Sequence, residues 1–231
     1  MKLNRIGAGL LATLMAGSIS AAPLLSEGFD NIATMAGAGW VRSNNSNPNG
    51  SEEWFQGNSG VFYAASGAAD SYIAANSLSA ADGGMVSNWL ITPELALSNG
   101  LSVSLLVRVA GGDGFLDTLE VRLSTSGPSV DVGASASSLG DFTESLGSYA
   151  SAADEGWVTL SFTVSELANP TSGRFAFRYT VDNTSLNGNY IGLDSVLIDA
   201  LAVPEPASLA LVALALGGVA LTRRRAAPKS L

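Results

Sequence analysis

Glu27 and Asp30, in the early stretch SEGFDN, and Asp194, in the late stretch GLDSV, are the carboxylates of this 231-residue chain best placed to hold a hard cation. Calcium takes about six to eight oxygen ligands, from carboxylates and backbone carbonyls alike. If the first and last strands of a closed β fold run side by side, these three acids meet and can hold a structural Ca2+. The alternative is that they are edge and turn carboxylates, facing water or bonding backbone amides. Tryptophan offers a second chemistry, because an aromatic face packs on the apolar face of a sugar ring. Trp40 and Trp54 flank the Asn-rich stretch SNNSNPNGSEE and are the candidates for ligand binding. Trp89 and Trp157 sit in strand patterns and are expected to pack inside.

The chain contains neither His nor Cys. That removes a Ser-His-Asp triad, His-ligated zinc, a His general base, thiol catalysis and disulfide staples. A glycosidase can work with two carboxylates alone, and the acid pairs on offer are Glu52 with Glu53 and Asp117 with Glu120. Adjacent residues of a strand face opposite ways, as do residues three apart. Neither pair therefore makes an acid and a base, and no catalytic residue is assigned. The stretch GGDG at 111–114 lies between strand patterns and reads as a hairpin loop rather than a phosphate cradle.

The elements that must position these residues are strands. In LSVSLLVRV, Leu101, Val103, Leu105, Val107 and Val109 fall on one face, the period-2 pattern of a half-buried antiparallel strand. DTLEVRLS repeats it with Leu119, Val121 and Leu123, WVTLSFTVS with Val158, Leu160, Phe162 and Val164, and RFAFRYTV with Phe175, Phe177, Tyr179 and Val181. Shorter strands are expected at 24–29, 60–64, 71–74, 86–91 and 190–198. Loops dense in Gly, Ser, Asn and Asp separate them, and the stretch from Gly127 to Gly156 reads as one long loop. Many strands with no long body helix and no internal repeat predict an all-β fold, a jelly-roll β-sandwich.

Both ends of the chain read as addresses. Lys2 and Arg5 precede the apolar stretch Ile6 to Ile19, and Ser18, Ser20, Ala21 and Ala22 supply small residues. Residues 1–22 are thus expected to be a secretory signal peptide cut near residues 20 to 22. At the other end, residues 207–222 carry no charge and are bounded by Pro206 and by Arg223, Arg224 and Arg225. As a helix this segment spans about 24 Å, somewhat short of a hydrocarbon core of about 30 Å, and snorkelling arginines can cover the difference. The basic residues keep 223–231 on the cytoplasmic side and the body outside. Between the addresses, residues 23–202 form one domain with five basic residues against 19 acidic ones, the chain's 20 less Glu205, for a net charge of −14. Such a surface argues against nucleic acid, which needs clustered Lys or Arg.

Val203, Pro204, Glu205 and Pro206, the apolar segment and the arginine cluster, in that order at the C-terminus, resemble the PEP-CTERM sorting signals of Gram-negative bacteria. The resemblance implies a membrane partner, an exosortase-like enzyme that cuts near the motif. It places the body in the periplasm on the inner membrane before processing, and at the cell surface or in the extracellular matrix afterwards. The body is similar to the choice-of-anchor J family, akin to cleaved-adhesin and MAM-like jelly rolls. That similarity rests on Glu27 to Asp30, Gly39 with Trp40, Trp54, NWLITP at Asn88 to Pro93, LEVRLS at Leu119 to Ser124, Gly156 with Trp157, FAFRY at Phe175 to Tyr179 and IGLDSV at Ile191 to Val196. It departs from the family at Ser195, where Asn is commoner. The expectation is an exported, non-enzymatic surface or matrix protein that adheres or binds extracellular polysaccharide. A carbohydrate-active enzyme and a purely structural matrix component are the rival readings.

Overall fold

The computed structural model describes residues 22–112 and 114–200. The expected signal peptide, apart from Ala22, and the whole sorting segment lie outside the described residues. Among those described, no helix is long and apolar enough to cross a membrane.

Two antiparallel sheets form a sandwich, as the alternation requires. One, sheet A, runs β11 (Val158–Thr163), β8 (Leu101–Val109), β13 (Tyr190–Ala200), β5 (Ile73–Asn76) and β4 (Phe55–Gln56), and the short β1 (Leu25–Glu27) also pairs with β13. The other, sheet B, runs β10 (Glu144–Ser151), β9 (Asp117–Ser124), β12 (Thr171–Val181), β6 (Ala80–Ile91) and β2 (Val41–Asn44). Two further short strands complete it, β3 (Asn47–Asn49) on β6 and β7 (Leu95–Leu97) on β12. The apolar sets read from the sequence meet between the sheets. The five of β8, the three of β9 and Phe175, Phe177, Tyr179 and Val181 of β12 are all buried in one cluster. On β11, an edge strand, the inward set is only partly buried.

Three local features depart from the expectation. Residues 60–64 form no strand; the N–H groups of Val61 and Phe62 bond the Asn58 carbonyl instead, in a loop that covers sheet A. The long loop from Gly127 contains β10, whose sequence ESLGSYAS has too few apolar residues to show alternation. Finally, β13 is bulged against β8 between Asp194 and Leu197. Strict alternation from Ile191 and Leu193 would send Ser195 and Leu197 inward. The bulge moves the phase by one residue, so that Val196 and Ile198 are buried and Leu197 is 37 % exposed. Ser195 sits in the left-handed region, with φ 52°. Asn tolerates that conformation better than Ser.

Each outer face carries its own cover. On sheet A, Gly192 leaves room for the rings of Phe62 and Tyr72: a Cβ there would come within 2.9 Å of both. These rings, with Tyr190 and the partly buried Phe55 and Trp157, form a satellite cluster outside the main core. On sheet B the loop after β9 packs Val132 and Phe142 on Trp89 and Ile91.

Candidate functional site

The first and last motifs do become neighbours. β1 pairs with β13 so that Glu27 stands opposite Val196. Glu27 accepts the Phe29 N–H at 2.7 Å. Asp194 is fully buried and accepts the Ala65 and Ser66 N–H groups at 2.9 and 3.0 Å on Oδ2, and the Ser195 hydroxyl at 3.1 Å on Oδ1. Asp30 is exposed, with its Oδ1 beside Gly67 of the same loop. Asp30 and Asp194 thus flank one loop, and backbone amides occupy Glu27 and Asp194. Among the described residues no group of three or more acidic side chains is close enough to hold a metal ion.

The two tryptophans expected to bind ligand require a correction. Trp40 is 3 % exposed and packs edge-on against Phe29, and Trp54 is 0 % exposed with its indole N–H on the Asn88 carbonyl. Both belong to the inter-sheet core and present no face to a sugar. Their position beside a polar Asn-rich loop misled, because that loop folds as β2, β3 and their turns along β6. Trp89 is buried as expected, while Trp157 is only partly covered.

A built concavity lies elsewhere, on the outer face of sheet B. Strand register sets Thr118 opposite Thr180 and Glu120 opposite Arg178. These four floor a groove of about 310 Å3, rimmed by Leu116, Met85, Asp182 and Asn187. Burial alone would raise the Glu120 carboxyl, but the hydrogen bonds and charges of Arg122 (2.8 Å) and Arg178 (2.9 Å) outweigh it and hold it below the usual range. Arg178 is 4 % exposed, with its other donors on Ser87 Oγ and the Ala136 carbonyl, and it lies over the Trp89 ring.

The rim is equally fixed. Asn187 Oδ1 accepts the Leu116 N–H, the Leu116 carbonyl accepts the Gly188 N–H, and Asp117 accepts both the Tyr179 hydroxyl (2.6 Å) and the Asn189 N–H. Asp117 faces the core. Burial pushes its carboxyl up, only partly offset by the bonds from Tyr179 and the backbone.

A larger cleft of about 550 Å3 opens where β10 and β11 part at the sandwich edge, lined by Glu144, Thr163, Glu166 and Leu167. It has no comparable network of fixed side chains, so the groove is the stronger candidate. The central carboxylate of the groove is pushed the wrong way for a general acid, and the raised carboxyl of Asp117 is sealed inside.

The charge of the body sharpens what the groove can take. Arg42 bonds the Trp54 carbonyl and pairs with Glu53, Arg108 makes a two-point bond to Asp154, and Arg174 bonds the Gly39 and Thr92 carbonyls. With Arg122 and Arg178 on Glu120, all five body arginines are committed to internal partners, and the body has no Lys.

Residues 202–225 match the PEP-CTERM protein-sorting motif. No curated protein matches the chain. Among solved structures, the body is similar to the K1 cleaved adhesin domain of Lys-gingipain from Porphyromonas gingivalis W83, at 21 % identity and TM-score 0.56 over 77 % of this chain and 98 % of that one. The K3 domain of the same protein follows at 18 % identity and TM-score 0.53, covering 78 % and 98 %, and the K2 domain at 19 % and 0.50, covering 75 % and 96 %. The chain therefore joins a C-terminal PEP-CTERM sorting motif to a body whose fold is that of cleaved adhesin domains.

Proposed function

We propose that this is an exported, non-catalytic surface or matrix protein whose body binds a neutral extracellular polysaccharide in the groove on sheet B. The observation that carries the reading is the combination of that groove with a surface free of uncommitted cations. Thr118, Thr180, Asn187, Glu120 and Asp182 offer hydrogen bonds to sugar hydroxyls, while Leu116 and Met85 offer apolar contact to a ring face. The volume, about 310 Å3, is at the small end for ligand pockets, suited to one or two sugar units. Sulfated or carboxylated glycans meet acids and no free arginine, so they are disfavoured.

Sorting is the other half of the proposal. After loss of the signal peptide, residues 207–222 hold the chain in the inner membrane with its body in the periplasm, and an exosortase-type enzyme cuts near Val203 to Pro206. The body then moves to the surface or matrix. A structural Ca2+ at Glu27, Asp30 and Asp194 stays in the proposal on one ground, that Asp30 and Asp194 flank the same loop; binding it would have to draw the three carboxylates together and displace the amides on Glu27 and Asp194. It requires backbone carbonyls and water to complete the shell. A titration with millimolar Ca2+ that produces neither heat nor a rise in melting temperature removes it.

Affinity electrophoresis of the purified protein tests the binding half. Retardation is expected in gels cast with galactomannan, glucomannan or soluble starch and not with alginate or polygalacturonate. Hydrolysis of any of these would favour the carbohydrate-active enzyme. Free migration in all of them would favour the structural matrix component.

A further inference from the structure

We infer that the opposite face of the sandwich carries a second sugar-binding surface, centred on Tyr63 and Trp157, and that the protein cross-links polysaccharide chains. The inference rests on the groove reading for its first site, and on separate observations for its second.

Tyr63 is the most exposed large apolar side chain among those described, at 68 %. Its backbone is nonetheless fixed. The Trp157 indole N–H donates to its carbonyl at 2.9 Å, and the next residue, Ala64, donates to the Ala69 carbonyl. Phe62, beside it in sequence, is 5 % exposed and plugs the loop into sheet A. It stacks on Tyr72, meets Trp157 and Tyr190 edge-on, and lies under the Arg108 guanidinium at 4.7 Å. A loop this firmly held presents Tyr63 to water by construction. Rigid Tyr and Trp side chains give large amphipathic contact for little ordering entropy.

The surroundings point to the ligand class. Trp157 is partly exposed in the same patch, and beside it Arg108 and Asp154 neutralise one another through bonds of 2.9 and 2.7 Å. Outward lone pairs and N–H groups of that pair can serve ring hydroxyls, while the aromatic rings take the C–H face. A neutral polysaccharide fits; an anionic one finds no unpaired cation. Trp157, and Phe62 and Ala64 on either side of Tyr63, belong to the satellite cluster on the outer face of sheet A, whereas the groove lies outside sheet B. Two sites that face away from each other cannot both engage one short stretch of polymer. They join separate strands, which is what a matrix component needs, and bivalency multiplies apparent affinity on a dense glycan surface.

The purified full-length protein, Tyr63→Ala and Thr118→Ala/Asn187→Ala would be compared on an array of neutral and acidic glycans, with galactomannan as the soluble probe. Tyr63 is exposed, so its replacement should leave the melting temperature unchanged. Wild type is expected to bind neutral glycans and to precipitate galactomannan. Each variant should lower array signal about tenfold, the loss typical of one aromatic or polar anchor, and should abolish precipitation. Trp89 lies under Arg178 of the groove floor, so the emission change that reports Trp157 is the one that persists in the groove variant; it should vanish when Tyr63→Ala is added to that variant. Wild-type binding with no emission change and no effect of Tyr63→Ala would overturn the second site alone. Absence of any neutral-glycan binding would overturn the groove as well.

Discussion

Removing the charge of Glu120 should loosen the floor of the groove. Its Oε2 accepts from Arg122 at 2.8 Å and Arg178 at 2.9 Å, and Arg178 has a side chain only 5 % exposed. Breaking a fully buried pair costs about 3–5 kcal/mol. Here the carboxylate is 22 % exposed, and Arg178 keeps its bonds to Ser87 and Ala136. Gln can also still accept from one guanidinium, which brings the expected loss for Glu120→Gln down to about 2–3 kcal/mol. For a domain of this size that corresponds to a fall in melting temperature of roughly 4–12 °C. The pH dependence follows from the depressed carboxyl. Its stabilisation is present above the pKa of the unfolded chain, near 4.3, and disappears as pH falls through the lower folded value. Urea denaturation of both proteins from pH 7 to pH 3 should therefore show a gap that is full at neutral pH and closes in acid. A loss under about 0.5 kcal/mol at pH 7, the range of ordinary surface substitutions, or a gap that stays constant down to pH 3, would refute the role given to this carboxylate.

Asp117 should behave in the opposite sense. Its carboxyl is pushed up by burial, so the stability tied to its proton is complete below the unfolded value and is lost as pH rises through the folded one. Asp117→Asn, whatever its offset at pH 4, should gain on wild type between pH 4 and pH 7 in the same urea series. Ser195→Asn should stabilise by a few tenths of a kcal/mol, read by melting temperature, because the bulge holds this residue at φ 52°. Gly192→Ala should destabilise by about 1–3 kcal/mol, since the new methyl lands within 2.9 Å of Phe62 and Tyr72. It should also alter Trp157 emission by displacing the Phe62 ring.

How far the sequence discloses this molecule depends on which force sets each feature. The core strands were readable because burial of one sheet face imposes a period of two, and β8 obeys it across nine residues. β10 was invisible because an edge strand needs backbone pairing more than apolar residues; Leu146 and Tyr149 are too few to mark a phase. The pairing of the first and last strands followed from the need to close the sandwich, and it places Glu27 near the bulge that carries Asp194. The binding candidates failed for a different reason. Composition says that Trp40 and Trp54 neighbour polar residues, but only the fold shows that β2 and β3 lie along β6 and that both rings lie in the inter-sheet core. Tyr63, in a stretch read as a strand, had no signal of its own. Its exposure follows from Phe62 turning inward onto Gly192, a contact between residues 130 positions apart.

A last consequence concerns pH in the environment of an exported protein. The body between residues 23 and 202 has no His, Cys or Lys, and burial pushes the phenols of Tyr72, Tyr149, Tyr179 and Tyr190 further above their ordinary value. Glu120 is held below its usual range and is ionised throughout the neutral region. Asp117 titrates late for a carboxyl, but it faces the core and not the groove, so it governs stability rather than contacts with ligand. Glu120, the carboxylate at the groove floor, therefore keeps its charge between about pH 6 and pH 9. Glycan affinity, measured by affinity electrophoresis at fixed ionic strength, should vary less than twofold over that interval. A binding optimum inside it would mean that the contacts lie with a group outside the groove, and would refute the assignment of the floor to Thr118, Glu120 and Thr180.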